Sequence, residues 1–383
     1  WFAHPSCKPE ENMEIKVIES QADWRGEQLV KRSDWLHQLT DAEIAEIDKA
    51  FRSVRSKGIP IIEVDRNNFA LDLFPRVAEK GLVALEEGPG VYLIRGFPAE
   101  KYSPEDLKLI NWGLAKYVGT AVSQSHEGDV MGDVRNLNTN PDGPKSGRGY
   151  KSSRELWFHC DSADVSSLFA VRNAKSGGLS GVCSSLAVHN EMARTRPDLL
   201  EALYEPWWWT WQKGCYEHEG PIYQQPIFSV QNGYLSCRYI GGSLRSVPKN
   251  YPGVVPPLSA RQVEAMELFD KLLNGPEFPV WKPFIPGDWQ MVNNHTVMHA
   301  RTEFEDYPEV ERKRHLLRMW LAVPNSRPLS PLMRPVYRDQ RAGAGAVRQA
   351  RHAGERREAP PQRQALTCSP SASRPTPRAR CRS

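Results

Sequence analysis

The sequence lacks long apolar runs and clustered cysteines. No stretch of eighteen consecutive apolar residues occurs among the 383, so we expect neither a membrane-spanning helix nor a membrane partner. The seven cysteines are scattered and never take a Cys-x-x-Cys spacing. Such a set is typical of free thiols in a reducing compartment, and we therefore expect a cytoplasmic protein.

Most of the chain also lacks the positive charge that nucleic-acid-binding proteins carry. The net charge of +4 comes from residues 341–383, where ten arginines, two glutamates and no lysine give +8 and leave −4 for the remainder. We therefore expect no nucleic-acid partner. The same C-terminal segment has almost no large apolar residues, so we predict a disordered tail over residues 331–383.

Local patterns divide the rest of the chain into two parts. Capping signals at Thr40 and Ser103 predict helices in the first part, and "GVYLIRGFP" between them predicts a strand. From about residue 150, short β-branched or aromatic segments alternate with turn residues, and Asn232-Gly233 predicts a hairpin. Two helices interrupt this region, one over residues 188–204 and one that is capped by Ser259.

These elements predict a mainly β fold with flanking helices. No internal repeat is visible, and many short strands with few helices favour a β-sandwich or a double-stranded barrel. We predict an N-terminal helical and extended segment over residues 1–80 that packs on the core. The β domain is then expected over residues 81–330, followed by the tail.

The segment "WFHCDSADV" at residues 157–165 places a histidine and a carboxylate two residues apart. In an extended strand His159 and Asp161 project to the same face, where unpaired buried polar groups are costly. Two interpretations explain the pair: a hydrogen-bonded structural pair, or two ligands of a metal ion.

A second block, "PGDWQMVNNHTVMHARTEFED" at residues 286–306, supplies further histidines near the end of a strand. Two histidines and one carboxylate on one face of an octahedral metal form the facial triad of non-haem Fe(II) oxygenases. Three adjacent coordination positions then stay open, two for a chelating cosubstrate and one for dioxygen. Both His295 and His299 are candidates for the second histidine, because in an extended segment they would point the same way.

From about residue 91 to residue 324 the chain resembles the taurine dioxygenase-like (TauD/TfdA) family of Fe(II)/2-oxoglutarate-dependent oxygenases. Four motifs occur in the order that the family shows. They are a His-x-Asp after a lead-in rich in Gly and Arg, a Gly-Gly-x-Ser turn at 177–180, the "NNHTVMHAR" block at 293–301, and a final pair of arginines, Arg314 and Arg318.

The resemblance implies a double-stranded β-helix (jelly-roll, clavaminate-synthase-like, α+β) and an oxygenase that releases succinate and CO2. The expected reaction is hydroxylation of a C–H bond in a small molecule, an amino acid or another carboxylate among the candidates. Fe(II), 2-oxoglutarate and dioxygen are the implied cofactors and cosubstrates, and a homo-oligomer is compatible with the sequence.

Matching the motifs residue by residue implies that His159, Asp161 and His299 hold the iron. Ser180 and Arg314 would bind the distal carboxylate of 2-oxoglutarate, and Arg318 would lie beside the pocket. The segment "FEDYPEVERK" lengthens the spacing between His299 and the two arginines. Which arginine meets the cosubstrate therefore stays open.

Other interpretations of the same residues remain at this point. The two arginines could form a solvated basic edge, and "PWWWTWQK" at 206–213 is better explained as core packing than as an aromatic cage. The three metal-ligating side chains could instead serve a zinc hydrolase. A non-catalytic carboxylate-binding protein that uses Ser180 and Arg314 is a further alternative.

Overall fold

A computed structural model describes residues 16–125, 127–136, 152–211, 220–337 and 339–344 of the chain. The helices in these ranges are α1 (Gly26–Lys31), α2 (Asp41–Ser56), α3 (Phe74–Glu86), α4 (Pro104–Val118), α5 (Ser185–Thr195), α6 (Pro197–Tyr204), α7 (Gly241–Asn250) and α8 (Ala260–Leu273). The strands are β1 (Leu36–Gln38), β2 (Val91–Arg95), β3 (Thr120–Val122), β4 (Gly132–Val134), β5 (Leu156–His159), β6 (Val165–Arg172), β7 (Ser176–Gly177), β8 (Ser180–Ser184), β9 (Trp207–Thr210), β10 (Ile222–Gln225), β11 (Phe228–Gln231), β12 (Tyr234–Cys237), β13 (Val280–Lys282), β14 (Trp289–Asn293), β15 (Val297–Arg301), β16 (Phe304–Glu305) and β17 (His315–Ala322).

Two sheets form the centre of the molecule. The major sheet runs β1-β2-β14-β6-β17-β3, with β4 also paired to β17, and the minor sheet runs β13-β8-β15-β5. Apolar side chains of both sheets share one buried cluster, in which Leu93 and Val292 of the major sheet join Val182, Val280 and Val297 of the minor sheet. The sheets therefore stack face to face, as in the predicted double-stranded β-helix.

Helices cover the two outer faces. Side chains of α2, α3 and α4 form one large apolar cluster with the outward residues of β17, including Leu317, Met319 and Leu321. Side chains of α5, α6 and α8 form a second cluster behind the minor sheet. Each sheet is thus covered by helices on its outer face and by the other sheet on its inner face. Polar side chains between the sheets therefore lie in mainly apolar surroundings.

Several local predictions are confirmed. Thr40 and Ser103 accept hydrogen bonds from the backbone three residues on, each in a capping box, and Ser259 caps α8 in the same way. Asn232 and Gly233 take φ values of 51° and 83° in the turn between β11 and β12. Trp207 and Trp209 are buried, as expected for core packing.

The helix predicted over residues 188–204 is wrong in one respect, because the structure divides it in two. Arg196 takes φ −145° and ψ 63° between α5 and α6. Pro197 excludes the helical conformation at the residue before it and has no N–H to continue the hydrogen-bond ladder. Helix α5 also begins at Ser185, three residues before the predicted start.

The described structure crosses both of the predicted domain boundaries. Helix α3 runs through residue 80 without a break. Met333 and Tyr337 are buried in a small apolar cluster with Leu329 and Val336, within the segment assigned to the tail. Residues from 345 onward, which make up most of the predicted tail, lie outside the described ranges. No helix in the described ranges is long and apolar enough to cross a membrane.

Candidate metal centre

Two neighbouring strands of the minor sheet bring the predicted ligands together. His299 on β15 lies directly opposite His159 at the end of β5, and Asp161 follows two residues later. One ligand atom from each of His159, Asp161 and His299 lies within 4.8 Å of the others. Cross-strand pairing therefore joins two motifs that are far apart in the sequence.

Both imidazoles present Nε2 to the carboxylate. Nε2 of His159 lies 4.0 Å from Oδ1 of Asp161, and Nε2 of His299 lies 3.6 Å from Oδ2. Nδ1 of His159 is 2.9 Å from the carbonyl oxygen of Trp157. Because a carbonyl only accepts, Nδ1 donates and the lone pair of His159 is on Nε2, as metal binding requires.

His299 stays uncharged at neutral pH. Burial, and then the nearby His159, lower the pKa of His299 to about 3. Burial alone would raise the pKa of Asp161, but the positive charge of Arg318, and after it the electrostatic interactions with His299 and His159, bring it below its usual range. Neutral imidazoles beside an ionised carboxylate are the donor set that a divalent metal needs.

Hydrogen bonds hold Asp161 in place. Its Oδ2 accepts from the hydroxyl of Ser166 at 2.5 Å and from the indole nitrogen of Trp320 at 2.9 Å. Its backbone N–H donates to the side chain of Asn294 at 3.0 Å. The sequence analysis missed these supports, although strand alternation places Trp320 on the same inward face as Arg318.

His295 does not join the triad. It lies in the turn between β14 and β15, where its Nε2 is 3.2 Å from Oδ1 of the buried Asp164. Because the chain turns between His295 and His299, the two side chains do not share the face that an extended segment would give them. The structure therefore brings His299, and not its rival, to His159 and Asp161.

A second feature between the sheets is a pair of buried guanidinium groups. Arg314 is 4% exposed and Arg301 is 5% exposed, and both lie over the ring of Phe304. Burial, and then the charge of Arg301, lower the pKa of Arg314 to about 9. In the described part of the chain neither guanidinium forms an ion pair, although the charge of Asp306 acts on both of them. Of the two arginines that could have formed a solvated basic edge, Arg314 is therefore buried and Arg318 is half-buried.

The glycine turn before Ser180 makes room for Arg314. Gly177 and Gly178 have φ values of 71° and 68°, which other residues rarely adopt. A Cβ on Gly178 would lie 3.1 Å from Nε of Arg314. Ser180 itself lies opposite Arg301 in the pairing of β8 with β15 and accepts a hydrogen bond from Gln290 at 3.4 Å.

Arg318 occupies a different place, nearer to the triad. Its Nε donates to Oε1 of Gln124 at 2.7 Å, and its charge acts on Asp161. The two arginines of the final pair thus have different surroundings: Arg314 lies beside Arg301 and Phe304, and Arg318 lies near the carboxylate of Asp161.

Comparison with known families agrees with this geometry. The model of the family described as "Taurine catabolism dioxygenase TauD, TfdA family" matches residues 60–320. The chain belongs to the TauD/TfdA family. This TauD/TfdA protein is an Fe(II)- and 2-oxoglutarate-dependent oxygenase that uses dioxygen. The zinc-hydrolase and non-catalytic alternatives are set aside by that membership.

Two relatives extend the match over most of the chain. FR-33289 synthase of Streptomyces rubellomurinus is 28% identical over 316 residues, covering 82% of this TauD/TfdA protein and 92% of the relative. Taurine hydroxylase-like protein SAT17 of Stachybotrys chartarum is 28% identical over 317 residues. That match covers 79% of this chain and 79% of the relative.

Solved structures with the same fold include an asparagine oxygenase and the non-haem iron oxygenase OrfP. An asparagine oxygenase in complex with Fe(II), 3-hydroxyasparagine and succinate has a TM-score of 0.60 at 16% identity, over 75% of this chain and 93% of that one. The non-haem iron oxygenase OrfP in complex with Fe and alpha-ketoglutaric acid has a TM-score of 0.55 at 15% identity, with the same coverage. The predicted jelly-roll of this TauD/TfdA protein is thereby confirmed.

Proposed function

We propose that the enzyme hydroxylates a C–H bond of a small carboxylate, an amino acid being the first candidate. The structures that share its fold include oxygenases with hydroxyasparagine and hydroxyarginine bound. The observation that carries the proposal is the juxtaposition of the His159–Asp161–His299 cluster with buried cations that have no carboxylate partner among the described residues.

The three clustered side chains are proposed to hold Fe(II). Two neutral imidazoles and one carboxylate leave a divalent ion with a net charge of +1, which favours an anionic chelator. Bound there with 2-oxoglutarate and dioxygen, the iron supplies the oxidising chemistry, in which the cosubstrate is decarboxylated to succinate and CO2. The protein's part is to orient both substrates and to exclude water.

Arg314 is proposed to bind the distal carboxylate of 2-oxoglutarate. A buried guanidinium without an anion is costly, and a carboxylate would give it a charge-assisted, two-pronged partner. Arg301 adds a second positive charge at the same place, and Ser180 adds a hydroxyl donor on the neighbouring strand. Arg318, hydrogen-bonded to Gln124 and acting on Asp161, is proposed to lie at the prime substrate instead.

The cellular setting is also a proposal. Cys160, Cys183 and Cys237 are buried free thiols, and burial raises the pKa of Cys183 and Cys237 above the usual range for a thiol. Thiols of this kind are compatible with a reducing compartment, so we place the enzyme in the cytoplasm. A homo-oligomer stays compatible with the sequence.

The test is succinate formation from 2-oxoglutarate by the purified protein with Fe(II) and ascorbate. We expect succinate without an added prime substrate, because uncoupled turnover needs only the iron and cosubstrate sites. A panel of amino acids and other small carboxylates should then raise the rate, with a gain of one oxygen atom in the product by mass spectrometry. Absence of succinate under all of these conditions contradicts the proposal.

A further inference from the structure

The hairpin of β11 and β12 carries buried polar side chains without partners. Ser229 and Ser236 lie directly opposite each other in the hairpin. Both hydroxyls are buried and have no hydrogen-bond partner in the described part of the chain. Buried polar groups are nearly always paired in native proteins, so two adjacent unpaired hydroxyls indicate a missing ligand.

Arg238 follows at the end of β12 on the same face. Leu235, Cys237 and Tyr239 pack in the cluster behind the minor sheet, so the alternating Ser236 and Arg238 face the other way. Arg238 is 7% exposed, and its Nε and Nη1 have no hydrogen-bond partner among the described residues. We call Ser229, Ser236 and Arg238 the polar face of the hairpin.

Aromatic side chains surround the guanidinium of Arg238. It lies 5.0 Å from the ring centroid of Trp209, and its Nη2 is 3.5 Å from the hydroxyl of Tyr223. The side chain of Tyr337 also interacts electrostatically with the guanidinium of Arg238. Two residues after Tyr223 on the same strand, Gln225 carries another buried oxygen, Oε1, that has no partner within the described ranges.

Arg238, like Arg301 and Arg314, differs from the arginines of the protein that form ion pairs. The guanidinium of Arg327 lies 2.6 Å from a carboxylate oxygen of Glu86, and the half-buried Arg95 lies 2.7 Å from Asp288. Arg238 has no carboxylate within ion-pair distance in the described part of the chain. A buried cation left without an anion is destabilising, and its retention here is explained by a negatively charged ligand.

The polar face adjoins the metal-ligating segment. The backbone N–H of Cys160, between the two ligands, donates to the carbonyl of Tyr239 at 3.0 Å. His159 and Ile240 form an antiparallel bridge, and directly opposite residues project to one face. Arg238 itself lies close enough to Cys160, the residue between the two ligands, for the two side chains to interact electrostatically.

We propose that Arg238, with Ser229 and Ser236, binds an oxoanion of the prime substrate. The guanidinium offers its unpartnered N–H donors at Nε and Nη1 to a carboxylate, sulfonate or phosphate, and the hydroxyls offer two more. The subsite is separate from the pair Arg301 and Arg314, which we assign to 2-oxoglutarate. This inference rests on the proposed function, because it assigns the ligand to the substrate of the adjacent iron site.

The experiment is a calorimetric titration of the full chain loaded with Mn(II) and saturating 2-oxoglutarate under argon. The probes are acetate, methanesulfonate and inorganic phosphate, and the tightest of them identifies the anion class. We expect one equivalent to bind while 2-oxoglutarate stays bound. Arg238→Gln should weaken binding at least ten-fold, and the exposed Arg261→Gln serves as the matched control with wild-type affinity.

Two further measurements separate binding from folding. Without anion, Arg238→Gln should melt at or above the wild-type temperature, whereas a purely structural arginine would lower it. The double variant Ser229→Ala/Ser236→Ala removes hydroxyls that bond nothing in the described structure, so it should fold and bind the probe several-fold more weakly. If Arg238→Gln does not fold, this variant decides alone.

Three results would overturn the inference. They are a wild-type protein that binds none of the probes, an affinity that neither Arg238→Gln nor the double serine variant lowers, and a probe that binds only by displacing 2-oxoglutarate. The titration needs no turnover, so it is independent of the succinate assay. Failure of the proposed function and failure of this subsite are thus distinguishable.

Discussion

The indole nitrogen of Trp320 donates a hydrogen bond to Oδ2 of Asp161 over 2.9 Å. Ser166 donates to the same oxygen. Two donors on one carboxylate oxygen fix the orientation of the group, and both belong to the major sheet, whereas His159 and His299 belong to the minor sheet. The contact therefore ties the two sheets together at the site where the metal would bind.

Trp320→Phe should lower metal affinity without unfolding the protein. The phenyl ring keeps most of the apolar contact but has no N–H, so Asp161 loses one of its two orienting donors. Loss of such a partner typically weakens metal binding by about 10–100-fold. Mn(II) titration followed by electron paramagnetic resonance gives the affinity. Trp157→Phe is the control, since that side chain is exposed and points its nitrogen at Glu155. Equal affinities of the two variants would contradict the positioning role.

His299→Ala should abolish metal binding, whereas His295→Ala should retain it. The second variant instead loses stability, by about 1–3 kcal/mol, because it removes a buried hydrogen-bond partner of Asp164. Metal analysis after dialysis and urea denaturation distinguish the two effects. If His295→Ala is stable but binds no metal, His295 and not His299 is the metal ligand.

Arg314→Ala should raise the concentration of 2-oxoglutarate needed for half-maximal succinate formation. Loss of a buried charge-assisted partner costs about 2–5 kcal/mol, so a shift of about thirty-fold or more is expected. Iron binding should persist because the triad is untouched. Arg318→Ala is the matched comparison and should act on the prime substrate. If Arg318→Ala instead raises the 2-oxoglutarate requirement and Arg314→Ala does not, 2-oxoglutarate binds at Arg318.

The apoprotein should lose stability as the pH falls from about 6.5 towards 4. Burial lowers the pKa of His189 to about 4 in the folded state, where its ring lies 2.7 Å from the hydroxyl of Tyr204. The unfolded state then binds more protons in this window, so the stabilisation is complete above the unfolded pKa and is lost below it. The shift corresponds to about 3 kcal/mol. Urea denaturation at several pH values measures it, with His189→Gln expected to flatten the profile over that window. If the free energy of unfolding depends on pH equally in the wild type and in His189→Gln, His189 is not the cause of the pH dependence.

Local chemistry determined the elements that could be predicted. The hydroxyls of Thr40, Ser103 and Ser259 cap their helices because each satisfies a backbone N–H three residues on. Asn232 and Gly233 form a hairpin turn because both tolerate positive φ. The motifs also named three side chains, His159, Asp161 and His299, that the structure brings together, while their role as iron ligands stays a prediction.

Tertiary structure alone decided between equivalent patterns. His295 and His299 have the same spacing in an extended chain, and only the turn at 294–296 and the partner Asp164 separate their roles. Arg314 and Arg318 alternate identically along one strand, but burial beside Arg301 and contact with Gln124 give them different surroundings. Arg238 had no motif at all. It was found because its Nε and Nη1 are buried without a hydrogen-bond partner in the described structure. The sequence cannot show this, since the residues around a buried side chain are distant in sequence and meet only in the folded protein.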